Sequence, residues 1–300
     1  MIAIIPISQP GSAVAISTDR VYIAGNKTII VYNSKSGKTI ALFPDLERQI
    51  LFLGILEASG MLIAATSTSV HCWQLGFEDY FDVTAGRDLM PKKDREITIE
   101  SPTCMAVTNE RIIIASNKKL FSFAPDERED HSIILSEKRP ITALCAALAG
   151  VVLGDRTGGV VFSPSASLVD KKHEKIVILG GPIKALVANA TTVFVSTESL
   201  ITAVDLVTKT RVASYELGFI PATLFYSRTL IAFAPKHIFL PIESKPLELP
   251  LDPEQLGDFE SMANCGPLLV LTGKRSSLFI TSPKEAPAPA AAAAMRWWFW

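Results

Sequence analysis

Histidine and cysteine are the side chains best suited to metal binding or nucleophilic catalysis, and this 300-residue chain has four of each. His71, His131, His173 and His237 lie far apart, and Cys72, Cys104, Cys145 and Cys265 form no Cys-x-x-Cys pair. Only His71 and Cys72 are adjacent, and neighbours on a strand point to opposite faces, so they cannot clasp one metal. A structural role is expected for the histidines, and no cofactor or metal is expected. Long-range Cys–His partners across the centre of a fold stay open as a third possibility. Each cysteine sits in or beside an apolar run, which suits buried free thiols in a reducing compartment better than disulfides.

Ser36-Gly37-Lys38-Thr39 ends like a phosphate-binding loop, but the glycine needed four residues earlier is Tyr32, and no helix follows. It is read as a turn. Gly154-Asp-Arg-Thr-Gly-Gly159 fails the dinucleotide pattern and is read as a turn whose glycines supply backbone angles. Two charged stretches, Pro91 to Glu96 and Asp170 to Lys175, mix signs and are read first as solvated loops, second as RNA-binding patches.

The carboxy terminus is the most unusual segment. A Pro/Ala tether leads into Met295, Arg296, Trp297, Trp298, Phe299 and Trp300, which hold three of the four tryptophans. These are residue types enriched at binding hot spots, so the six are the candidate partner-binding residues. A partner groove, the chain's own fold and a membrane interface are the three covers considered for them, the first being preferred.

These groups must be positioned by strands. With 29 basic and 30 acidic residues, the chain has no general attraction for nucleic acid or anionic membrane. No stretch reaches the roughly 20 apolar residues of a membrane span, and no signal peptide is evident, so a soluble protein of cytoplasm or nucleus is expected. Ser12 to Phe43 reads as four short strands of β-branched and aromatic residues separated by polar turns. The pattern returns near Leu51, Thr103, Ile141, Ile183, Pro221 and Glu260, a period of about 40 residues that fits propeller blades.

Phe77 to Glu96 reads as a polar insertion in the second unit, and the sixth runs into a Pro-rich segment, Pro241 to Pro253. The last unit has only three strands. The apolar segment Ile2 to Ile7 is expected to supply the fourth, closing a ring and placing Pro6 on an outer strand.

The turns Val31 to Lys38 and Ala203 to Thr210, with Cys72 to Leu75, resemble the ends of WD40 repeats. The resemblance spans residues 1–283 and implies an all-β, seven-bladed propeller over 1–283, followed by a tether and anchor over 284–300. No repeat has an intact Trp-Asp, so the family's Asp-His-Ser-Trp network is not carried over. Within that group, Lys138 to Leu144, Val151 to Val160 and Ile178 to Gly180 are similar to one blade of the non-catalytic WD subunit of tRNA guanine-N7 methyltransferase. That family's Arg-Asp-Glu turn is missing, since Ser196 to Leu200 reads Ser-Thr-Glu-Ser-Leu.

WD40 resemblance together with the aromatic tail implies a non-enzymatic scaffold subunit with protein partners. An accessory subunit of an RNA-modifying or RNA-processing assembly is the first alternative, with indirect RNA association. An enzyme with a site at the propeller centre is the second. No small-molecule substrate is indicated.

Overall fold

The structure, a computed structural model, describes residues 3–17, 19–43, 45–75, 93–108, 110–124, 131–134, 139–147, 150–166, 173–226, 230–234, 237–239, 247–248, 256–265 and 268–281. They form seven four-stranded sheets, all antiparallel, within two compact units. One unit comprises residues 1–100 and 250–300, the other residues 101–249.

The first unit holds three sheets. The first sheet runs through Ala13–Ile16, Arg20–Gly25, Thr28–Asn33 and Thr39–Leu42, and the second through Ile50–Leu56, Met61–Thr66, Ser69–Gln74 and Lys93–Thr98. The seventh uses Phe259–Cys265, Leu268–Gly273 and Ser277–Thr281, and Ala3–Ile7 adds to it from the other end of the chain. Ile4 faces Ile280 and Pro6 faces Leu278 in that pairing. Proline cannot donate to a ladder, and an edge strand is where the loss is tolerated.

The second unit holds four sheets. The third sheet contains Pro102–Val107, Ile112–Ser116, Lys119–Phe123 and His131–Ile134; the fourth contains Ile141–Ala147, Gly150–Asp155, Gly159–Ser163 and Glu174–Ile178. The fifth contains Ala185–Ala188, Thr192–Ser196, Leu200–Asp205 and Arg211–Glu216; the sixth contains Thr223–Tyr226, Leu230–Ala234, His237–Phe239 and Leu247–Glu248.

Inner strands begin within two residues of the expected positions. Outer strands depart further from expectation. The insertion placed at Phe77 to Glu96 ends in the strand Lys93–Thr98, and the charged stretch ending at Lys175 enters the strand Glu174–Ile178. The Pro-rich segment contains the strand Leu247–Glu248. Edge strands keep one side in water, so polar residues suit them and their apolar signal is weak. Ile97 is buried between exposed Glu96 and Thr98, whereas every residue of Met61–Thr66 is buried.

Within each unit, neighbouring sheets meet through apolar faces. Tyr22, Val31 and Phe43 of the first sheet and its exit pack against Leu62, Ala64 and Trp73 of the second. Phe43 meets Trp73 edge to face at 5.3 Å, and Tyr32 meets Phe279 of the seventh sheet at 5.8 Å. Val152, Val160 and Ile176 of the fourth sheet pack against Val193, Val195 and Val204 of the fifth. A sheet buried on both faces must be apolar on both, which explains continuous runs such as Gly150–Val151–Val152–Leu153.

Two irregularities recur. Near the start of the inner strand, the register skips one residue, between Ile50 and Phe52, Pro102 and Cys104, Ile141 and Ala143, and Phe259 and Ser261. Thr103 and Thr142 occupy two of these bulges. A bulged residue leaves the ladder and can aim its side chain elsewhere. The Thr142 hydroxyl donates to the Ile183 carbonyl at 2.7 Å, and Thr103 reaches the Ile141 carbonyl at 3.3 Å. Ser12 makes the equivalent bond to Ile50 at 2.7 Å. A hydroxyl thus stitches one sheet to the next wherever these three residues stand. The outer strands also skip a residue, at Ile40, Asp94, Ile176 and Val212.

Candidate functional site

The richest gathering of charged and titratable groups lies on the fourth sheet, around Asp155. This residue ends the second strand, and Thr157 and Gly159 begin the return. One carboxylate oxygen, Oδ1, accepts from the Thr157 N–H at 2.7 Å, the Thr157 hydroxyl at 2.7 Å and the Gly159 N–H at 2.9 Å. The other, Oδ2, faces the Arg139 guanidinium at 3.6 Å. Burial pushes the Asp155 carboxyl up, and the three hydrogen bonds with Arg139 outweigh it, leaving the group below the usual carboxylate range. The Asp155 carbonyl also accepts from the Ile183 N–H at 3.2 Å, tying the turn to the chain entering the fifth sheet.

The glycines here serve two purposes. Gly158 has φ +88°, a left-handed angle that glycine alone adopts without strain, as the sequence implied. Gly154 is a matter of space, because a Cβ there would stand 2.5 Å from Ile183 Cγ2.

Beside the turn is a cavity of about 210 Å³ lined by Arg139, Ile141, Leu153, Gly154, Asp155, Gly159, Val161, His173 and Lys175. His173 stands just before the outer strand and Lys175 is in it. Both ring nitrogens of His173 are buried without a hydrogen-bond partner, and burial holds its pKa below the ordinary histidine value. At neutral pH the ring is therefore uncharged. Arg139 and Lys175 are cationic, and among the described residues Asp155 is the one carboxylate lining the cavity.

At the same end of the sheets lies a run of exposed or half-exposed cations. The Ile141 N–H bonds the Asn117 carbonyl at 2.8 Å, and the Arg156 N–H bonds the Pro140 carbonyl at 3.2 Å. With the Asp155–Ile183 bond, these contacts bring Lys118, Lys119, Arg139, Arg156 and Lys184 to one edge of the second unit.

The residues singled out in sequence fare differently. His71 is buried, stacks on Trp73 with centroids 5.8 Å apart, and its Nε2 lies 2.8 Å from Ser69 Oγ. Cys72, Cys104 and Cys145 are in no disulfide, and burial pushes Cys104 and Cys145 up to about 12. Ser36 to Thr39 belongs to a turn in which Asn33 Oδ1 accepts from the Lys35 and Ser36 amides at 3.1 and 2.9 Å. The turn it was likened to is built the same way: Asp205 Oδ1 accepts from Val207 and Thr208 at 2.9 and 2.7 Å. Lys209, at φ +58°, takes the place of Gly37, at φ +65°. Met295, Arg296, Trp297, Trp298, Phe299 and Trp300 lie outside the described residues.

Sequence reasoning missed Arg139, His173 and Lys175 as a group. Cross-strand pairing of Val161 with Lys175 assembles them, and no local spacing signals it. Among the described residues, no group of three or more His, Cys, Asp or Glu is placed to hold a metal ion, and no helix is long and apolar enough to cross a membrane.

No family model matches the chain, and no curated protein matches it. Among solved structures, a chain of the Mitotic Checkpoint Complex superposes with a TM-score of 0.72 at 11% identity, covering 93% of this chain and 91% of that one. Sqt1 of Saccharomyces cerevisiae superposes with a TM-score of 0.65 at 11% identity, covering 93% of this chain and 97% of that one. Both are WD40 propellers. The chain has a WD40-propeller-like fold. At this level of identity the likeness concerns the fold alone.

Proposed function

We propose that this chain is a non-enzymatic scaffold or adaptor subunit of a multi-protein complex, built as a seven-bladed ring over residues 1–283. Sharing of the seventh sheet between Ala3–Ile7 and Ser277–Thr281 supports a closed ring. The observation that carries the functional reading is how the polar groups at the sheet ends and turns are used. Asp155 spends its carboxylate on a turn and on Arg139, and Ser12, Thr103 and Thr142 spend their hydroxyls on joining sheets. Such groups stiffen a platform. Residues 284–300 serve as a tether whose tip, Met295 to Trp300, docks in a partner groove, and the complex resides in cytoplasm or nucleus.

The test is affinity capture from native extract with the full chain and with a chain ending at Lys284, identifying bound protein and RNA. Partners lost with the shorter chain support the tail as anchor; the same partners on both move the interface to the sheets. Replacing Trp297, Trp298 and Trp300 with Ala is expected to abolish capture while shifting the melting temperature by under about 1 °C, less than about 1 kcal/mol would produce in a chain this size. A large fall in melting temperature would place the tail within the fold instead.

A second reading, an accessory subunit of an RNA-modifying or RNA-processing assembly, is favoured by the cationic edge formed by Lys118, Lys119, Arg139, Arg156 and Lys184. Under it, a single-stranded RNA should bind with an affinity that falls steeply with salt, and Arg156→Gln with Lys184→Gln should flatten that slope by about two. Salt-independent binding, or none, would remove this reading.

A further inference from the structure

The geometry points to the cavity on the fourth sheet as the receiver of a single carboxylate side chain, Glu or Asp, from an extended acidic segment of a protein partner. The inference rests on the scaffold reading only for the source of that side chain.

Charge balance favours a carboxylate. Arg139 and Lys175 bring two positive charges to the lining and Asp155 brings one negative charge. Asp155 is already occupied, with three short donors on Oδ1 and Arg139 facing Oδ2. Among the described residues one positive charge is left over, and Lys175 has no ion-pair partner there. A partly enclosed surplus of one charge is best met by one carboxylate, whose hydrogen bonds to cations gain strength as water leaves.

His173 favours the same ligand. Buried polar atoms are almost always hydrogen-bonded, and leaving one unmatched costs about 1–3 kcal/mol. His173 lines the same cavity, and both of its ring nitrogens are buried and unmatched. Its ring is neutral near pH 7 because burial disfavours the charged form, so one nitrogen is a donor suited to a carboxylate oxygen. The rest of the lining, Ile141, Leu153, Val161, Gly154 and Gly159, is apolar and would cover the methylenes of the incoming side chain.

Size favours it too. A volume of about 210 Å³ is below the roughly 300–1,000 Å³ of ordinary small-molecule pockets, yet ample for one side chain. The site therefore fits a residue of a peptide better than a nucleotide cofactor.

The probe is a rhodamine-labelled peptide of sequence Gly-Ser-Glu-Glu-Ser-Gly with blocked ends, titrated into the full chain, with a Gln-for-Glu peptide as its control. Binding is read by anisotropy, and site occupancy by the ring-proton NMR signal of His173, assigned with His173→Phe. The Glu peptide should bind saturably and shift the His173 signal, and the Gln peptide should bind about 10-fold or more weakly, the effect of roughly one charge-assisted hydrogen bond. Arg139→Gln and Lys175→Gln should each weaken the Glu peptide about 10-fold, whereas Lys209→Gln should not.

The proposal is overturned if the His173 signal does not move, if both peptides bind equally, or if Lys209→Gln weakens binding as much as Lys175→Gln. Movement of His173 by inorganic phosphate or by an oligouridylate, but not by the Glu peptide, overturns it in favour of a phosphate ligand. The peptide comparison needs no variant to fold. Partner capture that persists in a chain failing the peptide test leaves the scaffold reading intact and removes the cavity proposal alone.

Discussion

Asp155 is the residue whose loss should cost most among the turns of this fold. In Asp155→Ala, the Gly159 amide, which is buried, and the Thr157 amide lose their acceptor. A hydrogen bond to a charged group contributes about 1.5–3 kcal/mol, and the less buried Thr157 amide contributes about 0.5–1.5 kcal/mol because water can replace the partner. Arg139, whose side chain is 45% exposed and 3.6 Å away, adds about 0–1 kcal/mol. The expected destabilisation is about 2–5.5 kcal/mol at pH 7. Asp155→Asn keeps an acceptor oxygen but loses the charge, and should cost about 1–2 kcal/mol.

The pH dependence gives a sharper test. Asp155 titrates lower in the folded chain than its ordinary value of 3.8, so its contribution is present above that value and is lost as pH falls through the depressed folded pKa. Urea unfolding of wild type and Asp155→Asn should therefore differ at pH 7 and converge as pH falls through the depressed folded pKa. In chains ending at Lys284, Trp73 is the sole tryptophan, and as a fully buried residue it reports the transition by fluorescence. A difference under about 0.5 kcal/mol at pH 7, or one equally large at the lowest pH at which the chain folds, would refute this account of the turn.

Other consequences can be checked with the same assay. Thr142→Val keeps the shape and removes the hydroxyl, leaving the Ile183 carbonyl without its 2.7 Å donor; a cost of about 1–2 kcal/mol is expected, with Thr142→Ser near wild type. Gly158→Ala places a Cβ against the Leu179 and Gly181 carbonyls at a left-handed φ, and should cost at least about 2 kcal/mol. Cys104 and Cys145, raised to about 12, hold almost no thiolate at pH 8, so iodoacetamide should leave both unmodified in the folded chain and label both in urea. Rapid labelling of either in native buffer would contradict the burial described here.

Legibility differed between inner and outer strands for a physical reason. Met61–Thr66, Ile112–Ser116 and Gly150–Asp155 are flanked by strands on both sides and buried along almost their whole length, so their composition is almost entirely apolar and announces them. Lys93–Thr98 and Glu174–Ile178 need only one apolar face and carry charges on the other, which made them resemble loops. The likeness between Val31 to Lys38 and Ala203 to Thr210 was readable because an Asx side chain and a left-handed residue must recur to make the same turn.

What the sequence determined by itself was therefore local and periodic: short strands of at most seven residues, turns with Asn, Asp and Gly at fixed offsets, and a repeat near 40 residues that only stacked sheets satisfy. What only the tertiary structure decided was which distant side chains share a space. Thr142 meets Ile183 because a bulge turns it out of its own ladder, and Arg139, Asp155, His173 and Lys175 line one cavity because an edge strand returns beside the turn. Bulge position and edge pairing depend on contacts summed over whole sheets, and no window of neighbouring residues contains that information.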